Sequence, residues 1–319
     1  MSTRFLHVAN GTCTTRLIEG AGIPGALSLW ADPLHEGPVP GHLTDAELLE
    51  VRLRYLAGPG EASIDPVNDL RRWRAVVEEH AAYDELVLWF EHDLFDQLNL
   101  VQALDWVHHH VPREKPVSQV SIDAFPGHPE FKGLGELAPG DMVFLLTARQ
   151  PVSGAQFGLA GQAWRAFREP TPESLDALRR CDTTALPFLS RAVTRLLHEL
   201  PWTTDGLSRT ERQLLRLAAA GPVDPASALP RMHAGEDAYY ITDTALADLA
   251  AALAQTTPPL LQGDRGLSDT GRAVLAGQVD RVEACGIDRW LGGTHLRNDN
   301  VWRWDEPQQR VLRTGGAPP

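Results

Sequence analysis

The chain has 319 residues, 43% of them hydrophobic, so it can bury two sizeable cores, and two domains are expected. Its net charge of −13 repels phosphate backbones at long range; this disfavours broad nucleic-acid binding, suits an uncharged or cationic partner better, and still permits a local basic patch. Three cysteines without CxxC spacing indicate neither a disulfide framework nor a cysteine zinc site, and no signal sequence or bilayer-length apolar run is found, so a cytoplasmic protein with no membrane partner is expected.

In chain order, the N-terminal half alternates short apolar runs with longer amphipathic ones. Strands are predicted over residues 4–8, 26–30, 85–90, 117–122 and 141–146, all rich in residues that suit a buried sheet. Helices are predicted over 45–56 and 70–82, with Thr44 and Asp69 as their N-caps. Helical crossovers favour parallel pairing, so residues 1–150 read as an α/β domain: an open, mostly parallel sheet with flanking helices.

Residues 151–204 read as a helical bridge, with helical segments over 155–167, 172–181 and 187–199 punctuated by Pro170 and Pro172. Ser208 and Glu211 form a capping box ahead of the apolar run 214–220 and open a mainly helical C-terminal module over 205–314. Helices over 243–254 and 269–275, with a turn at 263–266, make that module winged-helix-like. The tail 315–319 is expected to be disordered. From residue 205 onward the chain has 12 Lys plus Arg against 15 Asp plus Glu, which disfavours a DNA reader.

In an open parallel sheet, ligands bind beyond the carboxyl ends of the strands, so the residues that follow each strand are the informative ones. The first strand carries His7 and leads to Asn10, Gly11 and Thr12. The second leads to Asp32, His35 and Glu36, and the third to Glu91, His92, Asp93 and Asp96. Imidazoles and carboxylates delivered by three strands to one edge suit acid–base work or a divalent metal ion, and spacing alone does not decide between them. His7 or His92 is the candidate base, Asp32 and Glu91 would orient or charge it, and Asp93 and His35 would position substrate or an ion. In the competing structural reading, Asp93 caps a helix, Glu91 pairs with Arg52 or Arg54, and His92 is a satisfied sheet-end residue.

Gly11 and Thr12 could present backbone N–H groups to an anion, although neither dinucleotide-binding nor P-loop fingerprints occur. Cys13 beside them reads as an inert buried thiol rather than a nucleophile. Residues 108–110, three histidines, read as a solvated helix end. Arg149 and Gln150 could close the crevice, Arg149 serving either as an anion clamp or in a loop-stabilising ion pair. The aromatic, basic segments 289–296 and 302–305 could stack bases, and packing of a small sheet on helices explains them better.

With His7-Val-Ala-Asn-Gly, Trp30-Ala-Asp-Pro-Leu-His-Glu-Gly-Pro-Val and Leu88-Trp-Phe-Glu-His-Asp-Leu-Phe-Asp-Gln in view, the N-terminal half resembles bacterial proteins carrying the domain of unknown function 1835. The segments beginning at Gly206 and Asp288 are similar to the C-terminal part of such proteins. The resemblance implies a recurring two-part architecture and directs attention to these motifs. It implies no activity. The family's Asn-Gly is usually followed by Asp-Ser, where this chain has Thr12-Cys13. Residue chemistry leads us to expect a hydrolase or group-transfer enzyme acting on a small polar metabolite; the alternative is a ligand-sensing regulatory or binding protein whose C-terminal module engages a protein or nucleic acid.

Overall fold

The computed structural model describes residues 3–58, 64–263 and 265–314; the expected disordered tail lies outside them. Four predicted strands form, namely β1 (Phe5–Ala9), β2 (Ala26–Leu29), β3 (Glu85–Glu91) and β4 (Val117–Ile122). They pair in parallel in the order β2-β1-β3-β4. Between them lie α1 (Thr12–Gly20), α2 (Asp45–Ala57), α3 (Ile64–Glu78) and α4 (Leu94–His110). Thr44 caps α2 in a capping box with Glu47. Asp69 does not cap α3, which begins at Ile64; it lies inside the helix, 2.8 Å from Arg72.

The fifth predicted strand is a helix, α5 (Pro139–Ala148). A short apolar run reads alike in either state, and the local chemistry at its start decides. Pro139 fixes a helical φ in the first turn, and the Asp141 side chain accepts a hydrogen bond from the Ala138 N–H at 2.9 Å. Met142 and Leu145, three residues apart, then face the sheet together. The sheet edge is taken by the two-residue β5 (Gln150–Pro151), antiparallel to β4.

Alternation along the strands serves two cores. Leu6, Val8, Leu86, Leu88 and Phe90 enter one with α4, while Ala9, Val87 and Trp89 enter the other beneath α1 and α5. The chain continues through α6 (Gly154–Phe167), α7 (Glu173–Leu178), α8 (Leu189–Leu197), α9 (Arg209–Ala219), α10 (Pro225–His233), α11 (Asp243–Gln255), α12 (Asp269–Leu275) and α13 (Arg281–Cys285). Two hairpins follow, β6 (Asp288–Leu291) with β7 (Thr294–Arg297), and β8 (Val301–Asp305) with β9 (Arg310–Thr314). Ser208 and Glu211 form the expected capping box of α9. The larger core runs unbroken from β1 through Leu196, Leu214 and Leu246 to Trp304, so the C-terminal helices and hairpins are packed on the α/β part. No described helix is long and apolar enough to cross a membrane.

One buried cation shapes the loop after β2. Arg52 of α2 is 1% exposed. Its Nε and Nη2 meet Asp32 at 2.7–3.1 Å, while its Nη atoms also donate to the carbonyls of Pro33, Glu36 and Pro38. Asp32 is thereby held as the counter-ion of Arg52, not presented at the sheet edge, and Glu91 pairs with neither Arg52 nor Arg54. Removing one partner of a buried pair leaves the other charge uncompensated, at a cost of about 3–5 kcal/mol. Arg52→Met is therefore expected to destabilise by that amount in urea unfolding. The Arg52→Met/Asp32→Asn double variant should regain part of the loss; if it is no more stable than Arg52→Met, the charge pair is not what holds the loop.

Candidate functional site at the carboxyl edge of the sheet

β1 and β3 are neighbours, yet α1 leads away from β1 towards β2 while α4 leads from β3 towards β4. The direction of the connections reverses between these two strands, which makes their carboxyl ends the topological switch point of the sheet. Asn10 follows β1, and Glu91, His92, Asp93 and Asp96 end or follow β3. The structure brings most of this set together.

Glu91 and Asp96 are both buried. The Asn10 side-chain amide donates to Glu91 Oε2 and, at 3.2 Å, to Asp96 Oδ2. Asp96 Oδ1 accepts the Glu91 N–H at 2.8 Å. Thr14, in the first turn of α1, donates to Asn10 Oδ1 at 2.7 Å and fixes the amide's orientation. The segment after β4 closes over Glu91 from above: the Leu134 N–H donates to Oε1, and a side chain at Gly133 would collide with the same oxygen. Burial pushes the Glu91 carboxyl up to about 7. Burial, reinforced by Glu91, holds Asp96 well above the usual carboxylate range. The Asn10 amide bridges the two carboxyls, and the negative charge of Glu91 disfavours ionisation of Asp96.

Asp93 does cap α4, its Oδ1 accepting the Asp96 N–H at 2.8 Å. Burial and the Asp96 carboxyl raise its pKa well above the ordinary value, while His35 acts in the opposite direction. His92 is enclosed by the rings of Phe131, Phe188 and Tyr240, each 6.2 Å away. Burial and the nearby Arg191 lower its pKa, and its Nδ1 has no hydrogen-bond partner among the described residues.

Beside Asp93 lies a cavity of about 400 Å³ lined by His35, Glu36, Tyr55, Leu94, Tyr239 and Arg289, with further residues of α11 and β6. The carbonyl contacts of Arg52 hold its near wall. The far wall comes from the C-terminal part, whose Ala238 carbonyl accepts the Leu94 N–H at 2.6 Å at the start of α4. Glu36 Oε1 lies 3.6 Å from His35 Nε2, and His35 holds the Glu36 carboxyl below its ordinary pKa. The His35 ring packs edge-on against Phe95 and Tyr239, and its Nδ1 is buried with no hydrogen-bond partner among the described residues.

The remaining predicted residues lie elsewhere. His7 is mid-strand, its Nε2 3.3 Å from the Pro24 carbonyl and its Nδ1 accepting from Trp89 Nε1 at 3.2 Å. It faces the second core, three residues before Asn10, which is about 10 Å along a strand. Arg149 pairs with Glu85, the first residue of β3, at 2.7 Å. It therefore sits at the amino end of the sheet. Gln150 is exposed at the same end, bonded to the Ala148 carbonyl. Gly11 and Thr12 open α1, which has no side-chain N-cap, so they are placed as expected at the switch point. Cys13 is exposed, not buried. His108, His109 and His110 form the last turn of α4, where His110 stacks on Trp106. Tyr239, Tyr240 and Arg191 escape the sequence reading because they reach this edge from distant segments with no motif, and Arg289, in a segment the sequence does single out, was not expected at this edge.

Among the described residues, no group of three His, Cys, Asp or Glu side chains is arranged to hold a metal ion. No protein-family model matches the chain, and no curated protein matches it.

The buried carboxyls give the fold a pH signature. Folded Glu91 keeps a proton that the unfolded chain releases between pH about 4.5 and about 7, so native stability falls as pH rises through that window. The displacement corresponds to a loss on the order of 3 kcal/mol. Asp93 and Asp96, also raised, act in the same direction. Wild-type protein should melt at a lower temperature at pH 8 than at pH 5.5, and Glu91→Gln should narrow that gap. A variant that loses stability equally at both values would show that Glu91 does not carry the proton.

Proposed function

We propose that the protein is an enzyme that performs hydrolysis or group transfer on a small polar metabolite bound in the cavity between the loop after β2 and the C-terminal part. The observation that carries this reading is the His35–Glu36 pair in the cavity wall: an imidazole with a carboxylate oxygen 3.6 Å from its Nε2. That is the arrangement of a general base with its orienting group. In this reading the His35 imidazole takes a proton from the attacking group and returns it to the leaving group. Glu36 fixes the ring and stabilises the imidazolium. Asp93, Asp96 and Glu91 stand behind His35 as carboxyls whose pKa values burial raises. His7 and Asp32 have no part in it, since one is turned into the sheet and the other is bound by Arg52.

The same reading makes the chain a member of the family carrying the domain of unknown function 1835. Its support is spatial: the three motifs of that resemblance supply the β1–α1 junction, the loop after β2 and the β3–α4 junction, which meet along one edge.

A second reading, a ligand sensor, is favoured by one feature. The cavity is walled by both the α/β part and the helices from α9 onward, so an occupant would touch both. Those helices would then relay the bound state to a partner.

The test is conversion. Purified protein is incubated with a defined panel of sugar phosphates, organic acids, amino acids and nucleosides, and depletion is followed by mass spectrometry. General-base catalysis is worth about 10²–10⁴-fold, so His35→Gln should lower the rate of the converted compound by about that factor, and Glu36→Gln by less. Conversion that is unchanged in His35→Gln would sink the proposal. A compound that raises the melting temperature of wild type through this cavity without being consumed would favour the sensor.

A further inference from the structure

A second concave site lies on the other side of the β6–β7 hairpin, and the chemistry above does not use it. It is a groove of about 710 Å³ between that hairpin, the end of α6 and the segment around Pro40. Two glycines build it. Gly292 takes a positive φ of 59°, and a side chain at either Gly292 or Gly293 would collide with the carbonyl of Phe167 or Arg168. The bare turn is therefore pressed against the helix end, where Gly293 N–H donates to the Phe167 carbonyl and Val39 N–H to the Gly292 carbonyl, both at 2.9 Å.

This construction brings Arg168 beside the hairpin. Arg168 donates to the carbonyls of Pro40 and Leu43 at 2.7–3.2 Å, so its guanidinium is held in place by neutral acceptors. Arg165 and Arg297 are exposed on the same groove. Arg297 has only a loose contact of 3.4 Å with the exposed Asp299. The groove's own carboxylate, Glu169, already accepts a hydrogen bond from Ser174 at 2.5 Å, while Asp299 and Asp288 lie at its rim beside Arg297 and His295. The groove's aromatic wall is the cross-strand pair Trp290 and His295, with rings stacked at 4.2 Å and 12°. His295 is further held by Asp288 at 2.7 Å.

We propose that this groove binds a nucleoside phosphate, with the base extending the Trp290–His295 stack and the phosphate lying between Arg165 and Arg297. Cations that lack tight carboxylate partners recognise the phosphate, and a preformed aromatic stack recognises a flat base. The volume falls within the range of small-ligand sites and is too confined to track a long strand. The site shares no reacting group with His35 and Glu36, so it stands whether or not the cavity is catalytic.

The experiment is calorimetric titration of the full chain with AMP and GMP, with adenosine, ribose 5-phosphate, inorganic phosphate and a single-stranded oligonucleotide as comparison ligands. Stacking and phosphate contacts should each be worth about tenfold. A mononucleotide should therefore bind at least tenfold more tightly than adenosine or ribose 5-phosphate. Arg165→Gln/Arg297→Gln, both at exposed positions, should weaken the mononucleotide about tenfold or more and leave the melting temperature unchanged. His295→Ala should weaken the mononucleotide and spare ribose 5-phosphate. The proposal is overturned if mononucleotides bind no better than inorganic phosphate, if the arginine double variant binds as wild type does, or if only the oligonucleotide binds.

Discussion

Two carboxyl groups, Glu91 and Asp96, are taken out of water at the end of the central strand, and the carboxyl edge of the sheet is arranged around that burial. Carboxyl groups in such surroundings have their neutral form favoured and need donors on their oxygens. Asn10 supplies two donors from β1, the Glu91 and Leu134 backbones supply others, and Thr14 keeps the Asn10 amide turned the right way. The glycine at 133 follows from the same constraint, because only an unsubstituted backbone reaches Glu91 closely enough to donate. The junctions after β1, β3 and β4 are thus tied together by one need for hydrogen bonds.

Arg52 does for the loop after β2 what Asn10 does for the switch point. Its donors reach Asp32 and three carbonyls, so a stretch without regular secondary structure between β2 and α2 acquires a fixed path. That path turns His35 and Glu36 towards the C-terminal part. A second buried arginine anchors the opposite wall. Arg195 of α8 bonds Glu199, Glu236 and Thr210 and lies over the ring of Tyr239. The cavity is consequently bounded on two sides by guanidinium-centred networks, and its shape is set before any ligand arrives.

Four strands and most helices were legible because their signals are local: apolar runs for β1 to β4, capping residues Thr44 and Ser208 for α2 and α9. The run 141–146 was misread because Val, Phe and Leu suit a buried strand as well as a helix, and the deciding features, Pro139 and Asp141, lie at its start. The candidate edge was half legible. Polar residues after a strand in a parallel sheet mark an edge, which identified Asn10, His35, Glu91, His92 and Asp93 as candidates. Which of them would face one another was not, since partners such as Arg52 for Asp32, or Glu85 for Arg149, are chosen by three-dimensional register. Tyr239 had no local signal at all, and the aromatic, basic stretch that opens at Arg289 did not say which cavity it would line.

The β6–β7 hairpin connects the two concave sites physically. Trp290 borders both the cavity and the groove, Arg289 beside it lines the cavity, and His295 across from it lines the groove. Successive residues on a strand point to opposite faces, so a two-stranded ribbon pressed between two hollows necessarily presents different chemistry to each. The Gly292–Gly293 turn fixes the depth at which the ribbon sits against α6. The turn leaves the ribbon no room to move independently of Phe167 and Arg168, so the hairpin is a fixed partition between the two hollows.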